Sequence, residues 1–132
     1  MKVVYQGHKH CELTHLDSAV NIHTDAPRDN HGLGQSFSPT DLTSISLGSC
    51  MLTVIAIQAE KEGLDLGGSY AEVEKEMNAS PRRIGRIGVH LHLPSHLDLS
   101  WRERLENYAH TCPVKLSLNP EIKLNLVFSY DA

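Results

Sequence analysis

The chain has 132 residues, 40% hydrophobic and 21% charged, with a formal net charge of −4. That length suits one compact domain over residues 1–132, burying roughly two-thirds of the surface its unfolded chain would expose. The acidic balance argues against a nucleic-acid surface, and no apolar run approaches the roughly 20 residues of a membrane span, so neither nucleic acid nor membrane is an expected partner.

The N-terminus, MKVVYQGHKH, turns polar within a few residues. It lacks the apolar centre of a secretory signal, which makes a cytoplasmic location the default expectation. Residues Lys2 to Tyr5 and Ala19 to His23 have β-branched, alternating character, with the polar stretch His15 to Ser18 resembling a hairpin turn between them. The Pro-, Gly- and Asp-rich run from Asp25 to Gln35 reads as a loop.

A helix is expected next. Ser38 can cap it, Pro39 suits its first position, and the Asp41 carboxylate can answer the cap. From Leu47 to Ala59 apolar residues surround the whole cylinder, which predicts a core helix buried on nearly every side and ended by Gly63 in a left-handed cap. Gly48 inside it costs on the order of 1 kcal/mol relative to alanine, which implies a close approach to the backbone there. Beyond it, Tyr70 to Met77 and Arg86 to Leu93 alternate with period two, joined by a turn at Asn78 to Arg83. Ser100 can cap an amphipathic helix carrying Leu97, Trp101, Leu105 and Tyr108 and running to about Thr111, and Ile122 to Tyr130 alternates as a closing strand. The order β-β-(β)-α-β-β-α-β describes an α+β fold.

Three cysteines, Cys11, Cys50 and Cys112, are too few and too odd in number for a disulfide scaffold. Cys112 precedes Pro113, which can open a short turn and place the sulfur at its N-cap, where free N–H groups favour thiolate and Lys115 brings a cation nearby in sequence. The alternative is a buried thiol before a helix-ending proline. Cys50 on an apolar helix is either a small hydrophobe or, given Gly48 beside it, part of a site. His8 to His10 (HKH) and His90 to His92 (HLH) each put two imidazoles on one strand face, a spacing compatible with a metal ion, but exposed polar faces are the favoured reading and no metal is expected. Three arginines, Arg82, Arg83 and Arg86, make either an anion contact or a solvated strand end.

SPTDLTSISLGSCM on the central helix, paired with TCPVK at Thr111 to Lys115 and set in this element order, resembles the OsmC/Ohr family of thiol-dependent peroxidases. The resemblance implies an OsmC-like α+β fold: an intertwined homodimer with antiparallel sheets around two buried central helices. By position, Cys50 matches the peroxidatic cysteine, oxidised by an organic hydroperoxide to a sulfenic acid, and Cys112 the resolving cysteine that closes a disulfide. An external thiol reductant, of lipoyl or other dithiol type, would reopen it, with no bound cofactor. Family members place a glutamate ten residues before the reactive cysteine and an arginine on the N-terminal strands. Here Thr40 stands at the first position with Asp41 beside it, and HKH at the second, making Asp41 and Lys9 or His10 the candidate activating groups. A non-enzymatic dimer that binds a small apolar ligand or senses redox state is the competing expectation.

Overall fold

The computed structural model describes residues 1–132 as two compact units, Met1–Thr43 and Ser44–Ala132. The first unit is a three-stranded antiparallel meander: β1 (Lys2–Gly7), β2 (His10–His15) and β3 (Val20–Asp25), in that order across the sheet. β2 fills the stretch between the expected strand Lys2 to Tyr5 and the turn expected at His15 to Ser18, and the chain does turn there, between β2 and β3. β2 itself is created by a reversal at Gly7, His8 and Lys9, all with positive φ (89°, 52° and 62°). HKH is therefore a hairpin turn and not a strand pair of imidazoles, because His8 occupies the turn while His10 opens β2. Val3, Leu13 and Ile22 stand opposite one another across the three strands. Their face carries Val3 at 65% and Ile22 at 46% exposure, an apolar surface with no cover in this chain.

After β3 the loop closes on buried Asp25, whose Oδ2 accepts the Gln35 N–H at 2.9 Å. At its end Ser38 and Asp41 bond reciprocally: the Asp41 N–H donates to Ser38 Oγ at 3.0 Å and the Ser38 N–H to Asp41 Oδ2 at 2.7 Å. These are the two bonds of a capping box, with aspartate as the acid. They start α1 (Pro39–Lys61), which Gly63 terminates in the left-handed conformation at φ 69°.

In the second unit, β4 (Tyr70–Ala79) and β5 (Arg82–His92) form a long antiparallel hairpin, tighter than expected, around a cis Ser80–Pro81 bond. Then come α2 (Leu99–Ala109), a short α3 (Pro113–Ser117) and β6 (Lys123–Ser129), which pairs with β5 in parallel. This sheet is therefore mixed, where the sequence led us to expect antiparallel sheets only. α2 is capped by Asp98, whose Oδ1 accepts the Trp101 N–H at 3.0 Å, while Ser100 donates to the same carboxylate at 2.6 Å and does not itself cap the helix. That hydroxyl, ahead of the backbone bond, holds the Asp98 carboxyl below the usual carboxylate range.

The core contains Leu47, Met51, Ile55, Ile87, Leu91, Leu93 and Leu105, all without exposed surface. On α1 the buried positions are Ser44, Leu47, Gly48, Met51, Ile55 and Ala59, a single stripe at helical spacing. The expectation of a helix buried on nearly every side fails within one chain, since Ile45 and Ile57 are 42% and 47% exposed. Nor does the expectation of no long apolar run survive: α1 has 23 residues and a window of mean hydropathy 1.6, enough by length and composition to span a membrane. Its stripe packed in a protein core is the arrangement of an internal helix.

Gly48 is where that helix meets the sheet. A Cβ built there would lie 2.7 Å from Val73 Cγ2 and 3.4 Å from Ala71 Cβ. The close approach expected from the sequence is present, and its partner is a stiff β-branched side chain. Gly48→Ala should lower stability by about 1 kcal/mol, since overpacking costs roughly 1–3 kcal/mol against about 1 kcal/mol of recovered helix propensity. Denaturant midpoints of Gly48→Ala, Val73→Ala and the double variant test this: the double should be more stable than the two single effects sum to, and simple additivity would discard the clash.

Candidate active site

Cys50 lies on α1, three residues past Leu47 and one before Met51, both fully buried. Its position at the edge of the buried stripe leaves its thiol half-buried, whereas Cys112 has no exposed surface. The chain reaches Cys112 at the end of α2, where the Cys112 N–H bonds to the Ala109 carbonyl, and Pro113 then opens α3. Proline costs nothing at that first helical position, because its missing N–H would have had no intrahelical partner. Cys112 is the N-cap of α3: its Sγ accepts the Lys115 N–H at 3.3 Å, within the range for sulfur. The Lys115 ammonium instead donates to the His110 carbonyl at 3.3 Å.

Cys50 is near enough to Cys112 to act on its ionisation, and it packs against the core cluster to which Cys112 belongs. A separation of 62 residues in sequence is thus closed by the fold.

The electrostatics of Cys112 differ from the local expectation. The N–H groups of Lys115 and Val114 do favour its thiolate, but burial, opposed to any ionised form, outweighs them, and the hydrogen bond and charge of Cys50 act in the same direction as burial. Cys112 is pushed up from the ordinary thiol value and is held as a thiol. The turn geometry read from TCPVK is correct, and the inference that it yields a thiolate is not.

The other candidates lie in the first unit. Asp41 places one carboxylate oxygen in the α1 cap, and His10 stacks on His23 with ring centroids 5.1 Å apart and planes 14° from parallel. The arginine cluster is committed to carboxylates: Arg83 pairs with Glu121, and Arg86 bridges Glu74 and Glu76 at 2.8 and 2.6 Å. Hydrogen bonds from Arg86 hold Glu76 below the usual carboxylate range. These residues stitch strand neighbours together and offer no open anion site at Arg83 or Arg86.

A family model described as OsmC-like protein matches residues 32–127. The chain belongs to the OsmC family. A solved protein of Psychrobacter arcticus 273-4, assigned provisionally as an osmotic stress induced and detoxification response protein, is 43% identical over 97% of this chain and 93% of its own, with a TM-score of 0.93. The organic hydroperoxide resistance protein OsmC of Legionella pneumophila has the same fold at 19% identity, with TM-score 0.76 over 98% of this chain and 97% of that one. OhrB of Bacillus subtilis, an organic hydroperoxide resistance protein, also matches at 19% identity, with TM-score 0.68 over 97% and 96%. A comparison with curated proteins gives no match. The α+β fold expected from the sequence is the OsmC fold.

Proposed function

We propose that this OsmC-family protein is a cytoplasmic, homodimeric thiol peroxidase that reduces organic hydroperoxides through Cys50 and Cys112. The observation that carries the reading is the juxtaposition of a half-buried Cys50 with a fully buried Cys112 that the fold keeps protonated. Organic hydroperoxide resistance proteins with the same fold support the substrate class.

In the first step the Cys50 thiolate attacks the distal peroxide oxygen; the O–O bond breaks, sulfur is oxidised to sulfenic acid, and the alkoxide takes a proton to leave as alcohol. Cys112 then attacks the Cys50 sulfur, forming the S–S bond and releasing water. An external dithiol of lipoyl or similar type reduces that disulfide and is itself oxidised, so no resident cofactor is required. The asymmetry between the thiols fits this order. Negative charge on Cys50 opposes ionisation of Cys112, so oxidation of Cys50, which removes that charge, eases ionisation of Cys112 only after the first step. His10 and Asp41 are proposed as accessory groups from their sequence positions alone.

Reduced protein mixed with cumene hydroperoxide should lose two thiols per chain, and peptide mapping should recover Cys50 linked to Cys112. Slow loss at equal rates from the wild type, Cys50→Ser and Cys112→Ser would overturn the proposal.

The second step carries a pH signature. Below the raised pKa of Cys112 its thiolate fraction grows about tenfold per pH unit, so disulfide closure should accelerate as pH rises from 6 to 8 by up to about a hundredfold, lessened if closure is limited by another step. Stopped-flow measurement of sulfenic acid decay against pH checks this, and a flat profile would assign resolution to another group.

A further inference from the structure

The face of the β4–β5–β6 sheet that carries Glu72, His90 and His92 is the one opposite Val73 and Val89, which meet Gly48 of α1. Register sets Glu72 directly opposite His90, and the period of two puts His92 on the same side. One ligand atom from each of Glu72, His90 and His92 falls within 4.8 Å of the others. The imidazoles lie with centroids 4.0 Å apart and planes tilted by 38°.

The decisive group is His92, only 7% exposed. Its Nδ1–H donates to Asp131 Oδ1 at 2.8 Å, while Nε2 is buried without a hydrogen-bond partner, and Glu72 Oε2 stands 3.6 Å from it. A buried ring nitrogen without a partner costs free energy unless something accepts its lone pair or its proton. An imidazole whose far nitrogen is fixed on a carboxylate is also the arrangement in which metal-ligating histidines are held. Tyr70 stacks on the same ring at 4.3 Å and 4°, and His90 Nε2 shares a 2.7 Å hydrogen bond with Ser129 Oγ, so both rings are positioned by neighbours. Asp131 is itself held in place, since the C-terminal segment continues the sheet through Ala132 N–H to Leu93 O at 3.1 Å.

From this geometry we infer that Glu72, His90 and His92 form a site for a late first-row divalent cation such as zinc, with Asp131 as the positioning carboxylate behind His92. Two imidazoles and a carboxylate are the donor set that zinc accepts in three-ligand sites, leaving the fourth position to solvent. Tetrahedral coordination at metal–ligand bonds of about 2.0 Å needs donors about 3.3 Å apart. The His92–Glu72 separation of 3.6 Å is already near this value, and the Glu72 side chain, 71% exposed, is free to move the remainder. The reading of HLH as an exposed polar face does not hold for His92. The site is separate from Cys50 and Cys112, so its test stands apart from the peroxidase proposal.

Full-length Cys50→Ser/Cys112→Ser protein, prepared without a histidine tag and stripped with chelator, removes these thiols as competing ligands. Titration with zinc chloride alone should show one ion per chain. His92→Gln should weaken binding at least a hundredfold, Glu72→Gln should weaken it measurably, and Asp131→Asn, which touches no metal, should weaken it about 10- to 100-fold. Cobalt(II) should give visible bands of a four-coordinate nitrogen and oxygen site, lost in His90→Gln, with circular dichroism showing that each variant remains folded. Absence of stoichiometric binding, or binding unchanged in His92→Gln and Asp131→Asn, overturns the inference.

Discussion

Cys50→Ser is expected to lower the rate of organic hydroperoxide reduction by at least about a thousandfold. A serine hydroxyl is scarcely ionised at neutral pH and no other thiol stands in the same position, so the loss should be close to that seen when a covalent nucleophile is deleted. Cys112→Ser should behave differently. Its first turnover should stay within about threefold of wild type, with one equivalent of alcohol released and Cys50 trapped as sulfenic acid, while steady-state turnover with a dithiol falls at least tenfold. Substitution at either position is conservative in volume, so thermal unfolding should confirm a folded protein in each case. A first turnover as slow in Cys112→Ser as in Cys50→Ser would show that the roles of the two sulfurs have been assigned wrongly. Asp41→Asn keeps an oxygen for the Ser38 cap but removes the charge, and with His10→Ala it separates tuning of Cys50 from helix initiation: slower oxidation with two thiols still lost is the expected result.

The second large effect concerns assembly. Val3, Leu13 and Ile22 line one face of the N-terminal sheet, Val3 and Ile22 stay substantially exposed, and Ile45 and Ile57 are exposed singly on α1. An exposed apolar sheet face of this kind marks an interaction site. In the proposed homodimer this sheet face is covered by a second copy of the chain. Ile22→Asp would then bury an unpaired carboxylate at a cost of at least about 3 kcal/mol, raising the dimer dissociation constant more than a hundredfold. Light scattering or sedimentation at micromolar concentration should find a dimer for the wild type and a monomer for Ile22→Asp. A monomeric wild type, or a variant that dimerises as tightly, would remove the proposal.

Local chemistry was readable in the sequence, and long-range geometry was not. The Ser38–Asp41 cap, the Gly63 terminus, the Gly48 approach and the N-cap position of Cys112 depend on residues within a few positions, or on a glycine that marks contact. β2 was missed because HCELTH lacks strong β-branched alternation and its preceding turn places Lys9, with His8, at positive φ where glycine or asparagine is the usual signal. On α1 the apolar residues run all around the cylinder, so periodicity could not reveal which stripe one chain would bury. The charge state of Cys112 required its burial to be known, because a local hydrogen bond and desolvation act in opposite directions on one sulfur. Glu72 joins His90 only through strand register, and Asp131 joins His92 only through the course of the chain after β6.

The parallel pairing of β5 with β6 has one more consequence. Two parallel strands cannot be joined by a tight turn, so after His92 the polypeptide must travel back along the sheet before Lys123 can pair, and α2 and α3 are that return journey. Cys112 rides on it. Contacts so distant in sequence are among the later ones to form in a folding chain, because loop closure must precede their reward. The meeting of Cys50 and Cys112 therefore depends on the docked crossover: a molecule in which α2 and α3 have not docked has no thiol pair, and the proposed cysteine cycle requires the completed second unit.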